Sequence, residues 1–531
     1  MRSVRHRPLD LGGPHMRTPL VLLALTLAWL FGHALAQVET PTPGGTAIVV
    51  LGSDPEHLNA AISTGYPIGA VGASLYSALV YLDRDGVPRG ELAESWTVSD
   101  DDLVYTFTLR SATFHDGTPV TSADVVFTME EVLAPNHGRF LNAYRNIESI
   151  TAPDDATVVI ELTQPYAPLI NLLTVFEAPI LPKHVFEGTD PLTNPANEAP
   201  IGSGPFRFVE WVRGERVTLE RFEDYFLDNA LLDRLIYRVV PQDAARSVAL
   251  EVGEADVVWG FYMPPADLDR LDANPNIEVW KGLTIPSLYF VFVNTDNPAL
   301  ADARVRQALM FAIDREQIVE QAQGGLGEVA GGPFGAGFAY AYDEATDYRT
   351  LYPYDPERAR ELLAEAGVGD LTLTFVYDSA RGAFAAAAEI MRDNLRQVGI
   401  TLNVQPVERS VMVERVYGRD YDLSMQSFTS SGDPAIGYHR IYLSAERGAN
   451  FVNATGYANP EVDELLNAAA GLADRDARAD AYAEVMAILA QDVPTLPIFD
   501  ELSTQAAAAN LRGLLVRFDQ RDGLEFAWLA R

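Results

Sequence analysis

Cysteine is absent from all 531 residues. That excludes disulfides, thiolate metal sites, cysteine nucleophiles and a lipidated N-terminal cysteine. Histidine is scarce. The five after residue 36 are His57, His115, His137, His184 and His439, with no H-E-x-x-H and no pair at i, i+4 for a zinc helix. Neither a G-x-S-x-G elbow nor a phosphate-loop GxxxxGK[ST] occurs. The apolar run at residues 20–31 falls short of the ~20 residues that span a bilayer. Basic charge is also in deficit, with 39 Lys and Arg against 74 Asp and Glu and a net charge of −35. Nucleic acid and anionic lipid are therefore disfavoured as partners. With so many carboxylates, close pairs carry no weight. A secreted hydrolase working through two carboxylates stays as the enzyme alternative, and binding without chemistry is the favoured class.

What is present suits a folded, multi-lobed chain. Hydrophobic residues make up 48%, charged residues 21% and aromatics 10%, and the length exceeds one compact core. Met16-Arg17, the apolar run and Ala34-Leu35-Ala36 before Gln37 form a signal-peptide pattern. Residues 1–15 look like a start-site extension. Removing residues 1–36 leaves −38. The mature chain is expected outside the cytoplasm, periplasmic or secreted.

Residues 90–133 hold local signals in a fixed order. Trp96 and Val98, a polar turn at 99–102, then Tyr105, Phe107 and Leu109 at alternate positions predict a hairpin with one apolar face. Asp116-Gly117 predicts a turn. Thr121-Ser122-Ala123-Asp124 resembles a capping box with Asp for Glu, and opens a helix carrying Val125, Met129, Val132 and Leu133 on one face.

As a string, this stretch resembles the signature of the bacterial extracellular solute-binding proteins of family 5, the peptide/nickel-type cluster C receptors of ABC importers. Residues 92–96 (LAESW), 105–110 (YTFTLR), 114–117 (FHDG) and 123–127 (ADVVF) carry the likeness. Further matches are VRQALMFAIDR at 305–315, YDPERARELLAEAG at 354–367 and YANPEVDELL at 457–466. The resemblance implies an α/β, two-lobed periplasmic-binding-protein type II fold. An extra α/β subdomain would be inserted in the first lobe, and hinge crossovers would join the lobes. We place a signal peptide at 1–36, the first lobe at 37–75, 199–287 and 500–531, the inserted subdomain at 76–198, and the second lobe at 288–499.

Local patterning adds detail. A helix is predicted over 70–81 and a strand buried on both faces over 288–293. The helix at 302–319 is expected to break at Ile313-Asp314. Residues 324–337, rich in glycine, suit a flexible cleft-side loop. Residues 52–59 form a strand-end loop with either a structural or a ligand role. The glycines at 202 and 204 could form an anion nest, although no phosphate-loop helix follows.

For a binding protein the cleft residues matter most. Trp259, Phe261 and Tyr262 end a strand just before two prolines, and with Tyr66 and Phe428 they are the aromatic candidates for the cleft. The resemblance implies that an Asp before the Gly432-Asp433-Pro434 motif takes a peptide's amino group, but Ser430 stands at that position. Free and N-acetylated peptides are therefore expected to bind alike. It also implies that Arg381 matches a carboxylate-binding arginine; its plain alternative is an exposed surface side chain. Asp433 is expected to serve as a turn or cap residue rather than a ligand contact. The implied partners are a peptide or other small solute and the permease subunits of an ABC importer, with membrane contact only through the permease, a monomeric receptor and no cofactor or metal. An oligosaccharide is the alternative ligand.

Overall fold

The computed structural model describes residues 41–227, 230–259, 262–335, 344–429, 433–445, 452–472, 474–515 and 523–530. One sheet of eleven strands runs through both lobes. In the first lobe, Thr46–Leu51 pairs in parallel with Arg234–Val239 and Val257–Val258, and the antiparallel strands Arg216–Arg221 and Phe206–Val212 complete that half. In the second, Leu371–Asp378 pairs in parallel with Ile400–Val407 and Leu423–Thr429. Two long strands join the halves. The first crossover, Ile277–Val293, lies antiparallel to the second, Thr495–Ala508. Bulges near Lys281, Leu283 and Tyr289 interrupt their register and let a strand this long bend between two bodies.

The apolar run in the first crossover is buried on both faces, as its composition predicts. Tyr289, Val291 and Val293 enter one core of the second lobe, while Leu288, Phe290 and Phe292 enter the other. That split follows from the two-residue period of a strand. The hairpin of the signature region is also present: Ala93–Val98 and Val104–Leu109 belong to a separate four-stranded antiparallel sheet with Thr157–Leu162 and Ile147–Asp154. The capping box closes, with the Thr121 amide donating to Asp124 Oδ2 at 2.8 Å. The break at Ile313-Asp314 separates helix Ala303–Ala312 from helix Arg315–Ala322, whose first turn Asp314 caps.

One helix lies elsewhere than its pattern suggests. Instead of 70–81 it spans Tyr66–Leu75, with Pro67 in its first turn, and Val80–Leu82 is a strand. The stop is tertiary. The Gly204 amide donates to the Leu75 carbonyl at 2.9 Å, satisfying a helix-end acceptor that continuation of the helix would otherwise have used. The two glycines thus serve a helix terminus. A Cβ at Gly202 would come 2.0 Å from the Leu75 oxygen, a clash with backbone that only displacement relieves. Gly202→Ala is expected to lower stability by about 1–3 kcal/mol, read as a fall in the urea midpoint with an unchanged slope.

The 52–59 loop is held structurally. Asp54 accepts from Trp211 Nε1 and from the Gly214 amide, each at 3.0 Å, and Asn59 caps a short turn of helix.

Candidate functional site

The floor of the cleft is the pair of crossover strands. Tyr289 on the first stacks on Phe499 of the second, with centroids 4.4 Å apart. Glu501 follows two residues on, opposite Ser287 in the strand register. Arg381, just before helix Gly382–Arg396, reaches the floor from the second lobe. Its Nη2 donates to Tyr289 Oη at 2.5 Å and its Nη1 to Ser427 Oγ at 2.7 Å. The guanidinium lies 4.2 Å from the Phe384 ring centroid, a cation–π contact. Arg381 is therefore a buried, 8% exposed side chain, and the surface alternative does not hold.

Helix Asp243–Glu251 of the first lobe meets this corner. Asp243 Oδ2 accepts from the Gly382 amide at 3.1 Å, and Arg246 Nη2 donates to the Ala380 carbonyl at 3.2 Å. Asp243 and Arg246 also pair with each other at 2.8 Å. These bonds tie the two lobes together beside a cavity of about 30 Å³ lined by Tyr262, Pro265, Tyr289, Gln323, Arg381 and Glu501. That volume has room for about one water-sized group. Burial pushes the Glu501 carboxyl up to about 7, while the Arg381 charge and the Tyr289 hydrogen bond pull the other way without cancelling it.

Two of the aromatic candidates meet in the first lobe. Tyr66 and Tyr262 form an edge-to-face pair with centroids 5.5 Å apart, and Arg246 lies 5.2 Å from the Tyr262 ring centroid. Trp259 is only 3% exposed and belongs to the first-lobe core, its indole Nε1 without a hydrogen-bond partner among the described residues. Phe428 packs in the second-lobe core with Phe290 at 5.4 Å and Phe292 at 5.9 Å, under the Arg440 guanidinium. The loop character read from the prolines after Trp259 did not bring its ring to the surface, because strand Val257–Val258 lies inside the sheet, between Thr46–Leu51 and the second crossover. Phe261 and Ser430 lie outside the described residues.

Asp433 caps the short helix Pro434–Gly437, accepting from the Ala435 amide at 2.9 Å, and forms a two-pronged pair with Arg478 at 2.7 Å on each oxygen. Both of its oxygens are thus occupied within the protein. Elsewhere the Ala167 amide donates to the Ala470 carbonyl at 3.1 Å, and the buried Arg139–Glu177 pair stands near Arg440.

Glu501, Tyr289, Asp243 and Arg246 escape a reading of the sequence. Each stands in an ordinary strand or helix pattern, and only strand pairing and lobe packing bring them to one corner. Among the described residues there is no cluster of three or more metal-ligating side chains, and no helix long and apolar enough to cross a membrane.

This arrangement, a sheet shared by two lobes with a charged pocket at its crossover, is a binding architecture. The model of the bacterial extracellular solute-binding proteins, family 5 (middle region), matches residues 87–450. The chain belongs to that family. It is 29% identical to the oligopeptide-binding protein AppA of Bacillus subtilis, over 97% of this chain and 98% of the relative. It is equally 29% identical to the glutathione-binding protein GsiB of Salmonella typhi, over 93% of this chain and 97% of that one. The structure of B. subtilis AppA in complex with a nonapeptide superposes with a TM-score of 0.83 at 28% identity, covering 93% of this chain and 100% of that one. AgaA of A. tumefaciens R10, in complex with agropinic acid, gives 0.84 at 26% identity, covering 92% and 99%. The chain thus has the two-lobed type II fold of a solute-binding protein, and its relatives are binding proteins rather than enzymes.

Proposed function

We propose that this protein captures a peptide or peptide-like solute between its lobes outside the cytoplasm and hands it to the permease subunits of an ABC importer, acting as a monomer released by a signal peptide. The observation that carries this reading is the corner where Arg381, Tyr289 and Glu501 meet the first-lobe pair Asp243–Arg246: a polar, charged pocket on the crossover strands, in a family whose relatives bind oligopeptides and glutathione. A ligand that touches both lobes favours the closed form by its differential affinity. An oligosaccharide would need exposed rings to stack on, and Trp259 and Phe428 are spent on lobe cores.

The test is a native mass spectrum of the exported protein, followed by identification of whatever denaturation releases. We expect peptide or peptide-like masses. Released sugar or chelate masses would overturn the ligand class.

A further inference from the structure

We propose that Asp243 of the first lobe is the N-terminal cap of the second-lobe helix Gly382–Arg396, a latch that the chain supplies across its own cleft to hold the lobes closed. It concerns closure itself and stands whatever solute is captured.

Helix Gly382–Arg396 runs for 15 residues, yet its own sequence leaves its start unserved. The residue at its N-cap is Arg381, whose guanidinium has donors only and makes no cap, and its first turn holds no acidic residue. Its neighbours in the second lobe are capped from within: Asp302, Asp314, Asp355 and Asn459 each accept from an amide of the helix that follows. Here the acceptor comes from the other lobe. Asp243 Oδ2 takes the Gly382 amide at 3.1 Å, one of the four amides that a helix start leaves without an intrahelical partner. A carboxylate at that end also meets the positive pole of the helix dipole.

The carboxylate is rigidly presented. Arg246 pairs with it at 2.8 Å and is itself 2% exposed, fixed on the first lobe by its Nε to the Val240 carbonyl at 2.8 Å and its Nη1 to the Tyr262 carbonyl at 3.1 Å. From that anchor its Nη2 reaches the Ala380 carbonyl of the second lobe at 3.2 Å. One ion pair thus meets both a donor and an acceptor on the facing backbone.

Position 382 carries the residue that such a contact requires. A Cβ there would stand 2.0 Å from Asp243 Oδ2 and 3.2 Å from its Cγ, and apart from chain neighbours it would meet no other atom within 4 Å. The backbone does not call for glycine, since Gly382 is not among the residues with positive φ, and glycine is a poor helix former. The approach of Asp243 accounts for it. Because Gly382 follows Arg381, closing the latch also fixes the backbone that carries Arg381 to Tyr289 and Ser427 beside the crossover cavity. A solute gripped by both lobes favours the same form, so latch and solute act together.

The chain's lack of cysteine gives the experiment a clean background. Nitroxide labels on Glu148→Cys and Glu464→Cys, exposed positions on the inserted subdomain and the second lobe, report the separation of these bodies by double electron–electron resonance in the exported protein. We expect the labelled parent to show a short-distance population. Gly382→Ala should lower the ratio of short to long distances about five-fold, the worth of one helix cap. Asp243→Ala, checked like the other for an unchanged far-ultraviolet spectrum, should do the same. Adding Gly382→Ala to Asp243→Ala should change nothing further, because the methyl group then has room, a pattern that general destabilisation would not produce. A single variant with the parent's distribution overturns the proposal, as does a further shift in the double variant. A labelled parent without the short-distance population overturns it as well.

Discussion

Replacing Asp433 with alanine is expected to cost about 3–5 kcal/mol of folding stability, the penalty for leaving one member of a buried ion pair without its partner. Asp433 and Arg478 are 6% and 7% exposed. Arg478 would keep its bond from Nε to the Ala469 carbonyl at 3.0 Å, but both terminal nitrogens would lose their carboxylate. Burial raises the Asp433 carboxyl above its ordinary range, and Arg478 and the Ala435 amide oppose that rise. The pair is thus held in place by mutual dependence more than by net gain. The double variant Asp433→Ala, Arg478→Met should recover most of the loss, since removing both charges avoids the stranded cation. Urea unfolding of the three proteins measures it. A loss under about 1 kcal/mol in the single variant would mean the pair behaves as an exposed one.

The second large effect is with pH. His439 is 2% exposed and its Nε2 lies 2.8 Å from Tyr482 Oη; burial, reinforced by the Arg478 charge, pulls its pKa down to about 3. In the unfolded chain the ring titrates near 6.5. Below that value the unfolded state binds a proton that the folded state refuses, so the contribution is complete above pH 6.5 and is lost as the pH falls toward 3. At pH 5 the cost from His439 alone is about 2 kcal/mol. His137, fully buried and lowered by burial together with the charges of Arg139 and Arg440, acts in the same direction, as does His115 at about 4. Glu501 runs oppositely: with its pKa raised to about 7, acidification relieves its penalty. The measurement is therefore a difference, the stability of wild type minus that of His439→Asn between pH 7.5 and 5. We expect the variant's dependence to be flatter by about 2 kcal/mol over that span. Parallel curves would show that His439 titrates in the folded protein as it does in the unfolded chain.

Local chemistry was legible wherever a few neighbouring residues suffice to decide a conformation. Thr121 and Asp124 close the capping box their spacing predicts, and the helix breaks at Ile313-Asp314 as expected. The unbroken apolar run at 288–293 announced a strand buried on both faces, and the ordered motifs at 92–127, 305–315, 354–367 and 457–466 carried the family. The helix at Tyr66–Leu75 was misplaced because its end depends on the Gly204 amide, far along the chain.

The site was less legible for the same reason. Aromatic rings at 259 and 428 have the composition of a binding surface, yet their strands lie inside the sheet and turn them into lobe cores. Arg381 has the sequence context of a surface loop, and only the packing of Tyr289, Ser427 and Phe384 around it buries the charge. Glu501 shows no pattern at all. By itself, then, the sequence determined the hairpin, the caps, the buried crossover and the family, because those follow from propensity and period along one stretch of chain. The tertiary structure alone decided which side chains line the corner between the lobes and which of them bond to one another there, because both depend on strands and helices from distant parts of the chain meeting at one place.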